Sequence, residues 1–368
     1  MAGIYIHLPF CRVHCTYCPF AISTDLSLQD AYTTALEREI AARAAELDAP
    51  ERRITSVYLG GGTPSRTSEA NLERVFAAVR RAFDLSASAE ISIEANPEDV
   101  SPASLDSWVA LGVNRVSIGV QSFHDAELAT IGRVHDRSAA IEAVRTASGR
   151  NVRTNLDLIL GLPQQTRRSF AETLETAVDL GAGHLSLYML DLEERTPLEV
   201  QVRRGRVSLP DDDFVADAYL DAVARLAGVG LHQYEISNFA LDGEICLHNL
   251  AYWNRGPYYG FGIAAHSFRQ DLRYANTRDI RKYIASSPDT RDFSEELGPG
   301  ERRREEIFLG LRQVSGLDYE HFKRLCGQEG IEWIDRGLSE GWLRREGGRV
   351  GFTPSGFLQS NDYISQLF

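Results

Sequence analysis

The chain has 368 residues, of which 43% are hydrophobic and 25% charged, and its formal net charge is −13. This length suits one large α/β domain with a smaller appendage, or two ordinary domains. The acidic balance disfavours nucleic acid as a partner. No apolar run approaches the roughly 18 residues of a membrane span, and the N-terminus MAGIYIHLPF lacks the basic flank and cleavage site of a signal peptide. We therefore expect a cytoplasmic protein.

Short β-rich runs alternate with amphipathic helical patterns in the first part of the chain. GIYIHLPF is a predicted strand, LQDAYTTALEREIAARAAEL a helix, RITSVYLGGG a strand and EANLERVFAAVRRAF a helix. Four further strands are predicted in EISIEANP, VNRVSIGVQSF, VRTNLDLILGLP and HLSLYML, with helices such as SPASLDSWVALG and SFAETLETAVDLG between them. Six consecutive parallel strands suit a doubly wound sheet or an incomplete barrel, with the functional side chains at the carboxyl ends of the strands.

The pattern changes at the end of this predicted core, residues 1–242. HNLAYWNRGPYYGFGIAAHSF is rich in aromatic residues and glycine and has no helical period, so it predicts a long ordered loop within a connector of residues 243–299. Three helices, a hairpin turning at Gly347 and Gly348, and a last helix are predicted in residues 300–368, an α+β arrangement that resembles a winged helix. This tail holds ten Lys and Arg against eleven Asp and Glu, which argues against DNA binding and favours a packing or lid role.

Three of the five cysteines lie within eight positions, in HLPFCRVHCTYCPF. Cys11, Cys15 and Cys18 have the spacing C-x3-C-x2-C, which lets one tight loop turn three thiolates together. The odd number of cysteines favours a catalytic or metal-binding cluster over disulfides. A zinc site would need a fourth ligand, for which His7 and His14 are candidates, because no second cysteine pair follows. A 4Fe-4S cluster held by three thiolates would instead leave one iron open to an exogenous molecule.

CRVHCTYC resembles the C-x3-C-x-aromatic-C signature of the radical S-adenosylmethionine (radical SAM) superfamily, and LGGGTPS follows a strand about forty residues later. The resemblance implies an incomplete parallel (β/α)6 barrel. It also implies a 4Fe-4S cluster whose open iron chelates S-adenosylmethionine, and reductive cleavage of the sulfonium to a 5′-deoxyadenosyl radical. Gly61, Gly62 and Thr63 would border this cofactor, since glycine lets backbone approach a ligand where a Cβ would collide.

The likeness extends over essentially the whole chain to the oxygen-independent coproporphyrinogen dehydrogenases and the related HemW heme chaperones. By this resemblance, Tyr5 and Tyr17 flank the cluster. The runs IEANPED, GVQSF, IGRVH and NLDLILGLPQQT are implied to supply further contacts to S-adenosylmethionine, namely Glu94, Gln121, Arg133 and Asp157. Such carboxylates accept hydrogen bonds from an ammonium or from ribose hydroxyls, and an arginine pairs with the methionyl carboxylate.

Two features separate the dehydrogenases from the chaperones. The dehydrogenases carry a fourth cysteine two positions beyond the third, where this chain has Phe20. The chaperones carry an H-N-x-x-Y-W motif, which here is HNLAYW, residues 248–253. In both features this chain resembles the chaperones. The residues implied to handle heme are His248, Asn249, Tyr252 and Trp253.

A histidine of this motif could offer an imidazole nitrogen to heme iron, and its aromatic residues offer a flat apolar surface to a porphyrin. Direct ligation by His248 stays open at this point, because Cys246 and His266 are alternative nearby ligands.

The resemblance therefore implies a chaperone that binds a 4Fe-4S cluster, S-adenosylmethionine and heme, and transfers heme to apo-proteins. A reductant for the cluster is a further implied partner. Peripheral membrane contact follows only if the recipients are respiratory proteins, and no basic amphipathic segment argues for it. Two alternatives stay open: a radical SAM decarboxylase that converts coproporphyrinogen III to protoporphyrinogen IX, and a radical enzyme acting on an unrelated substrate.

Overall fold

The computed structural model describes residues 2–150 and 152–368, and within them six parallel strands form the centre of one large sheet. The strands are β1 (Ala2–Leu8), β2 (Arg53–Gly61), β3 (Asp84–Ala95), β4 (Arg115–Gln121), β5 (Arg153–Leu160) and β6 (His184–Met189). They lie side by side in sequence order, and each neighbouring pair is parallel. The predicted run of six parallel strands, an incomplete (β/α)6 barrel, is confirmed.

Helices connect these strands and bury apolar side chains against them. Their bounds are α1 (Gln29–Ala45), α2 (Glu69–Ala82), α3 (Pro102–Ala110), α4 (Asp125–Thr130), α5 (Arg137–Ser148), α6 (Arg167–Asp179), α7 (Pro197–Arg203) and α8 (Asp212–Gly228). Side-chain caps fix helix starts: Ser68 accepts a hydrogen bond from the Asn71 N–H at α2, and Thr166 and Ser169 form a capping box at α6. Capped helices that connect neighbouring strands and pack against them are the expected features of parallel β/α units.

Further strands extend both edges of the same sheet. β7 (His232–Gln233) and β8 (Asn238–Ala240) add antiparallel strands beyond β6. The opposite edge carries β9 (Tyr258–Phe261), β10 (His266–Arg269), β11 (Leu272–Asn276) and β12 (Arg291–Glu296), and β9 runs parallel to β1. The helices of this segment are α9 (Leu247–Trp253) and α10 (Ile280–Ser286).

The prediction of a long ordered loop around HNLAYW is wrong. Residues 247–253 form the two turns of α9, and the aromatic residues after them pair into the main sheet. A helix this short is held from outside: the Glu90 carboxylate of β3 accepts hydrogen bonds from the backbone N–H groups of Leu247 and His248. Residues 243–299 thus supply α9, α10 and β9 to β12.

The C-terminal part forms a small separate antiparallel sheet with helices around it. Its elements are α11 (Pro299–Leu311), β13 (Leu317–Asp318), α12 (Tyr319–Ser339), β14 (Leu343–Glu346), β15 (Arg349–Phe352), α13 (Pro354–Leu358) and α14 (Ser360–Ser365). The predicted hairpin turns at Gly347 and Gly348, which have φ values of 55° and 76°. Gly327 interrupts α12 with φ 62°, which explains why the sequence predicts two helices there. None of the helices in the described residues is both long and apolar enough to cross a membrane.

Candidate cofactor and metal site

The three-cysteine loop follows β1 at the carboxyl edge of the parallel strands. Backbone hydrogen bonds close its base: the Cys11 N–H donates to the Ser23 carbonyl at 3.0 Å, and the Ser23 N–H donates to the Pro9 carbonyl at 2.8 Å. The Gly62 N–H donates to the Leu8 carbonyl at 3.0 Å and ties the loop to the end of β2. Its neighbours therefore fix where the three thiols lie, although the loop has no regular structure of its own.

Side chains from other elements donate hydrogen bonds to the sulfur atoms of this loop. The Thr63 hydroxyl donates to Cys11 Sγ at 3.3 Å, and Arg133 Nη1 donates to Cys15 Sγ at 3.8 Å. Burial raises the pKa of the Cys11 thiol to about 11, and the bond from Thr63 opposes that rise. Donors to sulfur stabilise negative charge there, and metal binding displaces the thiol proton. The loop therefore fits a cluster held by three thiolates.

The histidines considered as a fourth zinc ligand already have partners. His7 is buried, with Nε2 2.8 Å from the Ala21 carbonyl and Nδ1 3.2 Å from the Tyr5 hydroxyl. His14 Nε2 lies 3.0 Å from the Cys18 carbonyl. Across residues 2–150 and 152–368, no group of three or more His, Cys, Asp or Glu is arranged to hold a single metal ion. A cluster has a different requirement, because each thiolate binds a different iron.

A cavity of about 480 Å³, here called the large cavity, opens at the carboxyl ends of the parallel strands beside the cysteine loop. It is lined by all three cysteines and by most residues predicted to contact S-adenosylmethionine. These are Tyr17, Gly61, Gly62, Thr63, Glu94, Gln121, Arg133 and Asp157. Tyr5, predicted with them, lines a smaller cavity instead. Residues far apart in sequence meet here because parallel strands end at one edge of the sheet.

The end of β2 passes close to the cysteine loop at its glycines. A Cβ on Gly62 would lie 2.5 Å from the carbonyl carbon and 2.6 Å from the carbonyl oxygen of Pro9, both of which are backbone atoms. Gly61 has φ 105°, and its Cβ would collide with the His7 ring. Only glycine fits these two positions. The glycine run thus lets β2 approach the loop and leaves open space for a ligand on the cavity side.

Glu94 and Asp157 are half-buried carboxylates that line the large cavity. Glu94 accepts hydrogen bonds from the Tyr58 hydroxyl at 2.9 Å and from the Gly61 N–H at 3.1 Å, and Asp157 accepts one from the Ser117 hydroxyl at 3.0 Å. Burial raises the pKa of both groups, that of Glu94 to about 7 with Asp157 as a further cause. Two carboxylates in one cavity fit a ligand that brings positive charge or hydroxyl donors.

Arg133 is the cation predicted to pair with a ligand carboxylate. Its Nη2 donates to Asn96 Oδ1 and to the Gly119 carbonyl, both at 2.7 Å. Its Nε is buried and has no partner among the described residues. A buried, unpaired guanidinium N–H costs free energy unless a ligand accepts a hydrogen bond from it. Gln121, beside it, has φ 67°, a backbone conformation that side-chain-bearing residues rarely adopt and that clusters at functional sites.

A second cavity of about 190 Å³, here called the small cavity, lies inside the barrel next to α9. It shares Glu94, Ser117 and Tyr188 with the large cavity, so the two adjoin. Arg115 and His184, at the amino ends of β4 and β6, also line it. The small cavity therefore extends the barrel interior from the large cavity toward the amino ends of the strands.

His248 lines the small cavity, and both of its ring nitrogens have partners. Nδ1 lies 2.9 Å from the Ser56 hydroxyl, and Nε2 lies 2.9 Å from the Tyr252 hydroxyl. The ring stacks on Tyr58 with 5.1 Å between centroids. Burial lowers the pKa of His248 to about 3, so the imidazole is neutral near pH 7. Ligation of heme iron by His248 would therefore require it to give up one of these two hydrogen bonds.

The other residues of the motif occupy two environments. Asn249 and Tyr252 line the small cavity together with His248. Trp253 is half-buried at the end of α9, where its carbonyl accepts a hydrogen bond from Gln313 Nε2 of the C-terminal part at 3.2 Å. The motif thus contacts the barrel interior at one end and the C-terminal part at the other.

The two alternative heme ligands are also separated. The Cys246 thiol is buried and donates to Glu90 Oε1 at 3.3 Å. His266 is exposed at the start of β10 and lines neither cavity. Cys246 lines the small cavity together with His248, whereas His266 does not.

Sequence reasoning missed several residues that line the large cavity. They are Asn96, Glu98, Ser117, Gly119 and Tyr188. Asn96 and Glu98 lie in the same IEANPED run as Glu94, so that run itself carried a signal for them. Ser117 is the register partner of Glu94 on the neighbouring strand, and only the pairing of β3 with β4 reveals this.

The open end of the large cavity carries exposed apolar side chains. Phe20 is 61% exposed, and Val13, Val134 and Tyr188 are 39%, 44% and 43% exposed. All four line the cavity next to the cysteine loop. Exposed apolar residues that cluster at a cavity are typical of a binding site for an apolar ligand or a partner.

A parallel β/α barrel with a three-cysteine loop at its carboxyl edge defines the class of radical SAM proteins, and residues 5–177 match the family model of the Radical SAM superfamily. The chain is 36% identical to the Bacillus subtilis protein named heme chaperone HemW, over 89% of this chain and 88% of that one. It is 35% identical to the Lactococcus lactis protein of the same name, over 99% and 96% of the two chains.

This chain belongs to the HemW family of radical SAM proteins. Its fold also matches the solved structure of the Escherichia coli coproporphyrinogen III oxidase HemN, with a TM-score of 0.85 over 100% of this chain and 89% of that one. Sequence identity to that protein is 24%, so the match concerns the fold. Radical SAM membership implies a 4Fe-4S cluster and S-adenosylmethionine, in agreement with the thiols and the unpaired Arg133 nitrogen of the large cavity.

Proposed function

We propose that this chain is a heme chaperone, which binds a 4Fe-4S cluster, S-adenosylmethionine and heme and passes heme to apo-proteins. The observation that carries the proposal is its membership of the HemW family, with relatives named heme chaperones that align over nearly the whole chain. Phe20 in place of the fourth cysteine and the HNLAYW run support the same conclusion. A reductant for the cluster and a cytoplasmic location remain predictions.

Cys11, Cys15 and Cys18 would hold the cluster. When bound, it supplies an electron and an open iron for S-adenosylmethionine. The Thr63 hydroxyl and Arg133 Nη1 stabilise negative charge on two of the sulfurs, because both donate hydrogen bonds to them.

The residues predicted for S-adenosylmethionine have complementary tasks in the large cavity. Arg133 Nε, which is buried and unpaired, would donate to the methionyl carboxylate. Glu94 and Asp157 would accept hydrogen bonds from the ammonium and the ribose hydroxyls. The backbone at Gly61 and Gly62 leaves room for the ligand beside the cysteine loop. The carboxylate and the ammonium of the methionyl group would thus each meet a group of opposite charge.

Heme brings a flat apolar ring and two carboxylates. The exposed apolar residues at the open end of the large cavity, Phe20 among them, support binding of the ring. His248, Asn249, Tyr252 and Trp253 are proposed to take part from α9, and His248 would bind iron directly only after releasing Ser56 or Tyr252.

Parallel anaerobic assays on cluster-loaded protein test the proposal. One preparation is titrated with hemin and followed by its Soret band, and the other is incubated with coproporphyrinogen III, S-adenosylmethionine and a reductant. We expect saturable hemin binding and no decarboxylation. A flat hemin titration, or stoichiometric conversion of coproporphyrinogen III to protoporphyrinogen IX, would overturn the proposal, and the latter result would establish the decarboxylase alternative.

A further inference from the structure

Arg115 is a fully buried arginine with one nitrogen that has no partner. It is 1% exposed, and its Nε donates to Glu90 Oε2 at 3.1 Å. Its Nη2 donates to the carbonyls of Glu244 and Ile245 at 2.9 and 3.2 Å. Its Nη1 is buried and makes no hydrogen bond to the described residues. Because Arg115 lines the small cavity, Nη1 is the atom of this side chain that is left for a ligand there.

The other groups of the small cavity leave Arg115 as its fixed positive charge. His184 is neutral, since burial lowers its pKa to about 3, and its two nitrogens lie 2.6 Å from Asn155 Oδ1 and 2.9 Å from the Tyr234 hydroxyl. Asn249 also lines the cavity, and its amide carries no charge. Glu94 lines both the small cavity and the large cavity.

The volume of the small cavity limits which part of a ligand fits there. A volume of about 190 Å³ lies below the roughly 300 Å³ at which drug-sized ligand sites begin. It accommodates a carboxylate group with its short stem and some water, but not a porphyrin ring. Guanidinium and carboxylate are complementary in charge and in planar hydrogen-bond geometry.

We propose that Arg115 Nη1 binds a carboxylate in the small cavity, and that in the heme-loaded protein this carboxylate is a heme propionate. The first part concerns a site built by this chain, and the second part rests on the proposed function. A free small molecule with a carboxylate is the alternative ligand for this site. A propionate would reach the site from the large cavity, which shares Glu94, Ser117 and Tyr188 with the small one.

A comparison of hemin with hemin dimethyl ester separates the contribution of the carboxylates to binding from that of the porphyrin ring. Both ligands are titrated into cluster-loaded full-length protein, as wild type, Arg115→Lys and Arg153→Lys. Lysine keeps a positive charge beside Glu90 but removes the forked donor. Arg153 is a matched control, because its Nη1 lies 3.8 Å from the same Glu90 carboxylate, its side chain is 41% exposed, and it lines neither cavity. Thermal unfolding and iron content check that each variant is folded and loaded.

We expect wild type and Arg153→Lys to bind hemin about 10-fold to 100-fold more tightly than the ester, as for a hydrogen bond between charged groups. Arg115→Lys should lose this preference and bind the ester as wild type does. Equal affinity of wild type for both ligands would overturn the propionate assignment, and so would an equal loss for both ligands in Arg115→Lys.

Free propionate tests the site without heme, and its comparison with chloride on wild type depends on no variant. Sodium propionate should raise the melting temperature of wild type more than sodium chloride at equal ionic strength, and should do so less in Arg115→Lys. If propionate and chloride act alike on wild type, no carboxylate site exists and the inference falls. If wild type binds no hemin but responds to propionate, the chaperone proposal fails while the carboxylate site stands with a free ligand.

Discussion

The large and small cavities of one barrel differ in how fully their polar groups are paired. Three cysteines line the large cavity, and Arg133 Nε has no partner there among the described residues. Around the small cavity, both nitrogens of His248 are hydrogen-bonded, and the Glu90 carboxylate accepts from Arg115, Cys246 and two backbone N–H groups.

This difference indicates which cavity gains most stability from a bound ligand. Unpaired buried groups lower stability and are retained where a ligand completes them, whereas fully paired groups hold elements together. The large cavity therefore has the features of a cofactor site. The residues around the small cavity fix α9 to the barrel and leave one unpaired nitrogen, Arg115 Nη1.

Removal of the thiols should give the largest effect, and only on the large cavity. We expect the Cys11→Ala/Cys15→Ala/Cys18→Ala variant to bind no cluster after anaerobic reconstitution, because no other thiol lines that cavity. Its far-UV circular dichroism should match that of wild type, since the loop is held by backbone bonds. Iron and sulfide analysis measures the loss, and Cys326→Ala is the control. Wild-type iron content in the triple variant would contradict the assignment.

Breaking the small-cavity network should instead cost stability. Glu90→Gln removes the charge that pairs with buried Arg115 and should lower the free energy of unfolding by about 3–5 kcal/mol. The exposed pair of Arg168 and Glu172 provides the control, and Glu172→Gln should leave the urea midpoint unchanged. A Glu90→Gln midpoint equal to that of wild type would show that α9 is held in another way.

Acid should destabilise the fold through its buried histidines. Burial lowers the pKa of His7 to about 4 and those of His184 and His248 to about 3, so only the unfolded chain binds these protons readily. Stability is therefore fully present above pH 6.5 and is lost as the pH falls below it, by about 1.4 kcal/mol per pH unit for each histidine. Between pH 6.5 and 5, His248→Gln should reduce the slope of the unfolding free energy against pH by about 1.4 kcal/mol per pH unit. Urea unfolding at several pH values measures it, with exposed His232→Gln as control; an unchanged slope in His248→Gln would mean that this histidine titrates normally.

The smallest expected effect is a difference in S-adenosylmethionine affinity between variants of two glycines that border the large cavity. Gly62→Ala places a Cβ against the Pro9 backbone and should weaken S-adenosylmethionine binding by about tenfold or more, roughly 1.4 kcal/mol. Gly119→Ala places its Cβ 3.0 Å from Gln121 Nε2, the end of a side chain that can move, and should have less effect. Isothermal titration of cluster-loaded protein compares the two. Equal losses would show that the approach of β2 to the loop does not matter.

The sequence predicted the parts of this molecule that depend on local patterns. Cysteine spacing, the glycines after β2 and the alternation of strands and helices are written in contiguous residues, and the predicted barrel is confirmed. The helix at HNLAYW escaped prediction because two turns carry too little periodicity, and because Glu90, which holds its start, is more than 150 residues away. The pairing of β9 with β1 and the bonds of His248 to Ser56 and Tyr252 likewise depend on folding.

The central claim is that the large cavity binds S-adenosylmethionine at an open iron of a three-thiolate cluster. Electron paramagnetic resonance of the reduced, cluster-loaded protein, recorded with and without S-adenosylmethionine, tests it most directly. We predict a 4Fe-4S signal whose shape changes when S-adenosylmethionine is added, because a new ligand reaches the iron that has no thiolate. Superimposable spectra at saturating S-adenosylmethionine, in protein with full iron content, would contradict the account.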